Sequence, residues 1–244
     1  MITIFTPTFN RGYIIGQLYE SLQAQTCKDF EWLVVDDGST DGTAQLFEDW
    51  CKEKEFPVRY IHQANGGKHR AINRGVREAK GELFFIVDSD DRLIPDAVEQ
   101  IAQYSDRCTG DIAGLCFRKI NISNGKVLGA PFPQKEIKTN LWEISYKYHV
   151  LGDKAEVFRT DVLRQYPFPE IKGENFIPEA LIWEQIADSY DLWWIDKGIY
   201  LCEYLEGGLT RSLKQNLKTN PNGFFLYYRN NLWRREVPRL RRLK

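Results

Sequence analysis

The sequence has 244 residues and 43% hydrophobic content, enough for one substantial core or two lobes sharing one sheet, which argues against a disordered chain. Lys and Arg number 33 and Asp and Glu 34, so the formal net charge of -1 argues against a surface that coats polyanions generally. Five cysteines, odd in number and without CxxC or Cys/His ligand spacing, argue against a disulfide framework; reduced thiols in a cytosolic protein are expected.

Residues 2 to 6 form a short β-rich run that Pro7, Asn10, Arg11 and Gly12 break. The spacing of Ile14, Ile15, Leu18 and Leu22 then predicts a helix over 13–25. The same strand, loop, helix pattern returns twice. FEWLVV (30–35), the loop DDGSTDG (36–42) and a helical face of Leu46, Phe47, Trp50 and Cys51 make the second unit; VRYIH (58–62), QANGGKH (63–69) and a helix burying Ala71, Ile72, Val76 and Ala79 make the third. The fourth strand opens the run LFFIVDSDD (83–91), in which five apolar residues suit burial on both faces and an acid-rich turn follows. Alternation of this kind predicts βαβ units, right-handed crossovers and a parallel sheet. After Pro95 the pattern loosens into a short helix (96–104), a strand (111–117), a mixed region to 155, a helix (178–190) and two closing strands, LWWI (192–195) and IYLCEY (199–204). No internal repeat, interdomain linker, signal peptide or membrane span is expected.

The loops at the strand ends carry the chemistry. Asp88, Asp90 and Asp91 fall at the C-terminal edge of the sheet, where open α/β folds bind ligands, and three carboxylates so close call for a cation or donors to offset their repulsion. In VVDDGSTD (34–41), Asp36 and Asp37 suit a pyrimidine N–H or ribose hydroxyls, while Ser39, Thr40 and Asp41 suit helix capping. The NGGKH loop offers two glycines and a cation before a helix, a cradle for phosphate oxygens. Walker spacing and GxGxxG are both absent, which argues against a P-loop and a dinucleotide site.

Four fragments taken together, TPTFNR (6–11), VVDDGSTD (34–41), NGG…AINRG…AKGE (65–82) and FIVDSDD (85–91), resemble in order and spacing a family 2 glycosyltransferase of the GT-A fold, with a looser match to about residue 206. The resemblance implies a Rossmann-like, mostly parallel α/β sheet flanked by helices, with a nucleotide-sugar half at 1–92 and a mixed acceptor-side half at 93–217, and composition marks 218–244 as a basic, aromatic tail. It implies an inverting transferase that takes a nucleotide diphosphate sugar, most often a UDP-sugar, with Mn²⁺ or Mg²⁺. Thr6, Pro7, Asp36 and Asp37 fall where the family holds the nucleoside, Lys68 where it contacts base or phosphate, and Asp88 with Ser89 and Asp90 at the DxD motif, whose aspartates take the ribose and the metal. Hard carboxylate oxygens suit such an ion.

The family draws its general base from a Glu-Asp pair at a helix start. This chain departs from that pattern with Pro178-Glu179 followed by Trp183, which puts Glu179 at the base position; Glu174 and Glu184 are the alternatives. The stretch GDKAEVFR (152–159), with Asp153, Lys154 and Glu156 near His149, corresponds to a region facing donor or acceptor sugar, or else to a surface turn. None of His62, His69 and His149 has a partner at ligand spacing. Residues 218–244 hold eight Lys or Arg and one Glu, a local +7 that leaves -8 elsewhere. Phe224, Phe225, Tyr228 and Trp233 among these cations suit a helix packed on the body that also makes peripheral contact with anionic membrane, and nucleic acid is not expected as a partner. The expected setting is glycan or lipid-linked acceptor assembly at the inner face of a bacterial membrane. An inactive nucleotide-sugar binding module and a sugar-phosphate nucleotidyltransferase are the competing readings, the latter weakened by the lack of a Gly-rich, Arg-containing loop after the first strand.

Overall fold

The computed structural model describes residues 1–52, 55–203, 213–232, 234 and 237; Tyr204, Trp233 and the basic residues from Arg239 to Lys244 lie outside them. The strands are β1 (Ile2–Thr8), β2 (Phe30–Asp36), β3 (Val58–His62), β4 (Leu83–Ile86), β5 (Arg92–Leu93), β6 (Ile112–Asn121), β7 (Glu136–Thr139), β8 (Lys154–Arg159) and β9 (Asp191–Cys202). The helices are α1 (Gly16–Gln23), α2 (Thr43–Trp50), α3 (Lys68–Glu78), α4 (Ala97–Tyr104), α5 (Thr160–Leu163), α6 (Ala180–Ile186), α7 (Leu213–Thr219) and α8 (Pro221–Leu232).

One sheet runs β3-β2-β1-β4-β8-β6-β9-β5, with β7 also paired to β9. The first four strands are parallel, as the βαβ spacing requires, and the second half is mixed: β8 is antiparallel to both β4 and β6, while β6 and β9 are parallel. Successive residues of a strand point to opposite faces, and the two faces hold different cores. Ile4, Trp32, Val34 and Phe85 pack with Leu18, Phe47 and Ile101 of α1, α2 and α4. Phe5, Leu33, Val35 and Phe84 pack with Ile72, Val162 and Ile182 of α3, α5 and α6. The result is a helix, sheet, helix sandwich in which β1 and β2 are buried along their whole length.

Three elements differ from expectation. β1 continues through Pro7 to Thr8 because it stays in register with β2, Pro7 beside Val35 and Thr8 beside Asp36, while its pairing with β4 stops at Phe5 with Ile86, on the side where proline has no N–H to give. The two closing strands are one, β9, which absorbs Asp196, Lys197 and Gly198 through register shifts against β6. The stretch 154–159 is not a surface turn but β8, at the middle of the sheet: Ala155 and Val157 enter one core while Lys154, Glu156 and Phe158 face the other side.

The beginning of α8 is docked on the segment before Glu179. Asn220 Oδ1 accepts the amides of Asn175 (2.8 Å) and Phe176 (3.0 Å), and the Glu174 carboxylate accepts those of Asn222 (2.9 Å) and Gly223 (2.7 Å). Phe224 is buried and stacks on Phe176, whereas Phe225, Tyr228 and Leu232 are exposed.

Candidate functional site

The parallel strands end together, and their loops interlock there. Asn10 donates its amide to Ser39 Oγ (2.8 Å) and accepts the amide of Thr40 on Oδ1 (2.8 Å), while Gly12 donates to Asp41 Oδ2 (3.0 Å). Asp36 is fully buried; its Oδ1 accepts the Ser39 amide (2.7 Å) and its Oδ2 the Tyr60 hydroxyl (2.5 Å). Asp37 gathers the third loop, accepting Gln63 Nε2 (2.8 Å) and the amides of Gly66 (3.0 Å) and Gly67 (2.6 Å). The two carboxylates that sequence reading assigned to a ligand therefore spend much of their capacity shaping the loops that would hold one. Thr6 likewise accepts Trp32 Nε1 at 3.0 Å, while the buried Thr8 Oγ1 has no partner among the described residues.

Gly67 fits this arrangement only because it lacks a side chain. Its φ is +96°, and a Cβ there would lie 1.9 Å from Asn175 O. That close approach lays the segment before Glu179 against the start of α3. Arg70 of α3 fastens the same segment, donating to Glu174 O (2.8 Å) and Ile171 O (2.7 Å).

Lys68, the first residue of α3, is where the two halves of the chain meet. Its Nζ lies 2.6 Å from Asp88 Oδ1 and 2.8 Å from Glu179 Oε1. Burial pulls the Lys68 ammonium down, but the two carboxylates outweigh it and the net shift is upward. Burial in turn pushes Asp88 up, and Lys68 with Lys119 more than reverses that, holding Asp88 below the usual carboxylate range. These groups flank a cleft of about 340 Å³ whose wall also includes Lys119, Lys154, Glu156, Trp183 and Tyr200.

The acidic turn after β4 is held from beneath. Tyr200 Oη accepts the Asp88 amide (3.0 Å) and donates to Asp91 Oδ2 (2.7 Å), so one buried hydroxyl clips both ends of the turn. Burial, followed by the charge of Asp88, pushes Asp91 up to about 7. Asp90 remains partly exposed, 3.9 Å from Arg11 Nη2, and Ser89 is buried between them. Among the described residues no group of three His, Cys, Asp or Glu is placed to hold a metal by itself. The carboxylates of Asp88 and Asp90 instead fit an Mg²⁺ or Mn²⁺ that keeps water and takes phosphate oxygens, and not a metal caged by protein alone.

The alternative bases are engaged elsewhere. Glu174 caps α8 as described, and Asn222 Nδ2 adds a further bond at 2.7 Å. Glu184 is buried between α6 and α8, where Oε2 accepts Asn230 Nδ2 (3.0 Å) and Asn231 Nδ2 (2.9 Å), and burial pushes it up to about 7. Of the three glutamates, only Glu179 lines the cleft. Burial pulls His69 down to about 4, a neutral packed ring. Lys119 on β6 and Tyr200 on β9 were missed by sequence reading, and no local pattern singles them out.

The sequence model described as Glycosyl transferase family 2 matches residues 3–166. The uncharacterized glycosyltransferase EpsJ of Bacillus subtilis is 33% identical over 119 residues, covering 49% of this chain and 34% of EpsJ. The GalNAc(5)-diNAcBac-PP-undecaprenol beta-1,3-glucosyltransferase of Campylobacter jejuni is 28% identical over 191 residues, covering 75% of this chain and 58% of that protein. The chain thus spans about a third to three fifths of the length of these two relatives. Among solved structures, S. aureus TarS 1-349 in complex with UDP-GlcNAc superposes with a TM-score of 0.76 at 22% identity, covering 99% of this chain and 69% of that one, a likeness of fold.

Proposed function

This chain belongs to glycosyl transferase family 2, and from that premise we propose that it transfers a sugar from a UDP-sugar to a hydroxyl of a glycan or lipid-linked acceptor, with inversion. The observation that carries this reading is the Lys68 bridge, which draws Asp88 of the nucleotide half and Glu179 of the second half into one cleft. The UDP-GlcNAc complex of TarS supports the nucleotide, and the undecaprenol-linked substrate named for the Campylobacter enzyme supports the acceptor class.

In this mechanism the loops that Asp36 and Asp37 shape receive the nucleoside beside Thr6 and Pro7, and Lys68 meets the diphosphate. Asp88 and Asp90, with Ser89 between them, would hold Mn²⁺ or Mg²⁺, and such an ion would supply stabilisation of the negative charge on a leaving diphosphate. Glu179 takes the proton of the acceptor hydroxyl as that oxygen forms its bond to the anomeric carbon and the bond to the diphosphate breaks. Trp183 and Glu156 line the same cleft.

A screen of nucleotide sugars for Mn²⁺-dependent turnover tests the assignment. Asp90→Ala should lose metal-dependent turnover, and Glu179→Gln should bind UDP normally while losing transfer. Equal activity in all three proteins would overturn both roles. The absence of a Glu-Asp pair at 178–179 favours one other reading, a binding module without catalysis, which no turnover with intact UDP binding would support.

We also infer peripheral attachment at the cytosolic face of a membrane. Among the described residues no helix is long and apolar enough to cross one. The exposed Phe225, Tyr228 and Leu232, with the +7 balance of 218–244, suit anionic lipid. Flotation with anionic vesicles should be salt-sensitive and should weaken on replacing those three residues by serine.

A further inference from the structure

Six charged side chains line the cleft, and four of them have partners. Lys68 holds Asp88 and Glu179, and Lys154 donates to Gly152 O at 2.8 Å. The other two are Lys119 on β6 and Glu156 on β8, both half-buried. Among the described residues neither makes an ion pair or a side-chain hydrogen bond with another residue. Lys119 rests its ammonium 4.1 Å from the ring centroid of Tyr200 and feels the charges of Asp88 and Asp91, while the Glu156 carboxylate feels those of Lys154 and Lys119 but has no hydrogen bond beyond its own amide.

A desolvated ammonium and a desolvated carboxylate with unused hydrogen-bonding capacity each carry a cost that a ligand can relieve. They differ in what they need. Lys119 has donors to give and takes an oxygen acceptor; Glu156 has lone pairs to give and takes a hydroxyl or N–H. A pyranose offers both kinds of group on neighbouring carbons. Trp183, packed on Phe158 (ring centroids 4.6 Å apart), adds an aromatic surface to the same wall, the mixture of apolar lining and a few placed polar groups that small-molecule sites use. The wall is also balanced in formal charge, with Lys68, Lys119 and Lys154 against Asp88, Glu156 and Glu179, so it carries no net positive charge to favour an acidic sugar.

We propose that Lys119 and Glu156 form the recognition pair for the transferred sugar, and that this sugar is a neutral, hydroxyl-rich pyranose in preference to a uronate. This rests on the donor reading above, and the experiment separates the two. Titration calorimetry with Mn²⁺ would compare UDP, UDP-glucose, UDP-N-acetylglucosamine and UDP-glucuronic acid on the wild type, Lys119→Met and Glu156→Leu, with thermal unfolding as the fold check. In the wild type at least one neutral UDP-sugar should bind more tightly than UDP and UDP-glucuronic acid. Each variant should lose about tenfold on that sugar nucleotide while UDP changes less than about twofold. If Glu156→Leu does not fold, Glu156→Gln replaces it, with a severalfold loss expected. Equal losses for UDP and the UDP-sugar would overturn the proposal and make the pair counter-charges of the acidic turn. Unchanged affinities, or a wild-type preference for UDP-glucuronic acid, would overturn it as well. A wild type that binds none of the four compounds would instead sink the donor reading itself.

Discussion

Replacing Glu184 by Gln should stabilise the protein above neutral pH and leave it unchanged in acid. Glu184 is only 7% exposed, and burial raises its carboxyl from 4.5 to about 7. The folded protein therefore keeps a proton there that the unfolded chain releases near 4.5. Between these values the folded state binds more protons, so stability falls as pH rises through the window and levels off above about pH 8. The gap converts to about 3 kcal/mol at 1.36 kcal/mol per pKa unit, a figure of order of magnitude only. A glutamine carbonyl can still accept from Asn230 and Asn231, and the buried Asn231 Oδ1, which lacks a partner among the described residues, offers an acceptor for its new amide. Urea unfolding followed by tryptophan fluorescence, without added metal, should show no difference near pH 4.5 and a gain of about 3 kcal/mol near pH 8.5. In a thermal scan that gain corresponds to roughly 6–12 °C for a chain of this size. A constant difference at both pH values, or a less stable variant at pH 8.5, would refute the reasoning.

Glu174→Ala removes the carboxylate that caps α8, so stability measured by urea unfolding should fall by about 2–4 kcal/mol while kcat per folded molecule is kept. Loss of kcat with stability intact would transfer the base role to Glu174. Tyr200→Phe deletes the clip on the acidic turn; stability should fall by about 2–4 kcal/mol, and calorimetry should show UDP affinity in Mn²⁺ weakening more than UDP affinity in chelator. Gly67→Ala sets a Cβ against Asn175 O in a left-handed backbone, so both stability and UDP affinity should drop, with at least about 2 kcal/mol lost in unfolding. Wild-type values for both would mean that the two loops separate without cost.

The first half of the fold was legible because its strands are short apolar runs separated by turn residues, and each is followed by a helix with one apolar face, as with Leu18 and Leu22 after Ile4 and Phe5. The second half was less so. Asp196 and Lys197 look like a break between strands, and only pairing with β6 makes β9 continuous. Within the site, Lys68, Asp88 and Glu179 were each picked out separately, and they do meet in space. The engagement of Asp36 and Asp37 was not legible, since their partners come from the neighbouring strand β3 (Tyr60) and from the loop after it (Gln63, Gly66 and Gly67), whose path depends on the fold. Tyr200 lies more than a hundred residues from the turn it clips, and no local pattern links them.

The seam between Asn220, Glu174 and the 175–176 backbone has a practical consequence for anyone excising or grafting this unit. A polypeptide cut at residue 217 would strip the cover from Phe176 and leave the amides of Asn175 and Phe176 without their acceptor, the latter in the same peptide group as the carbonyl that approaches Gly67. Under the proposed function, damage at that remote cut should surface as poor uridine nucleotide retention, easily mistaken for a defect in the pocket itself. The smallest fragment worth expressing therefore reaches through Leu232.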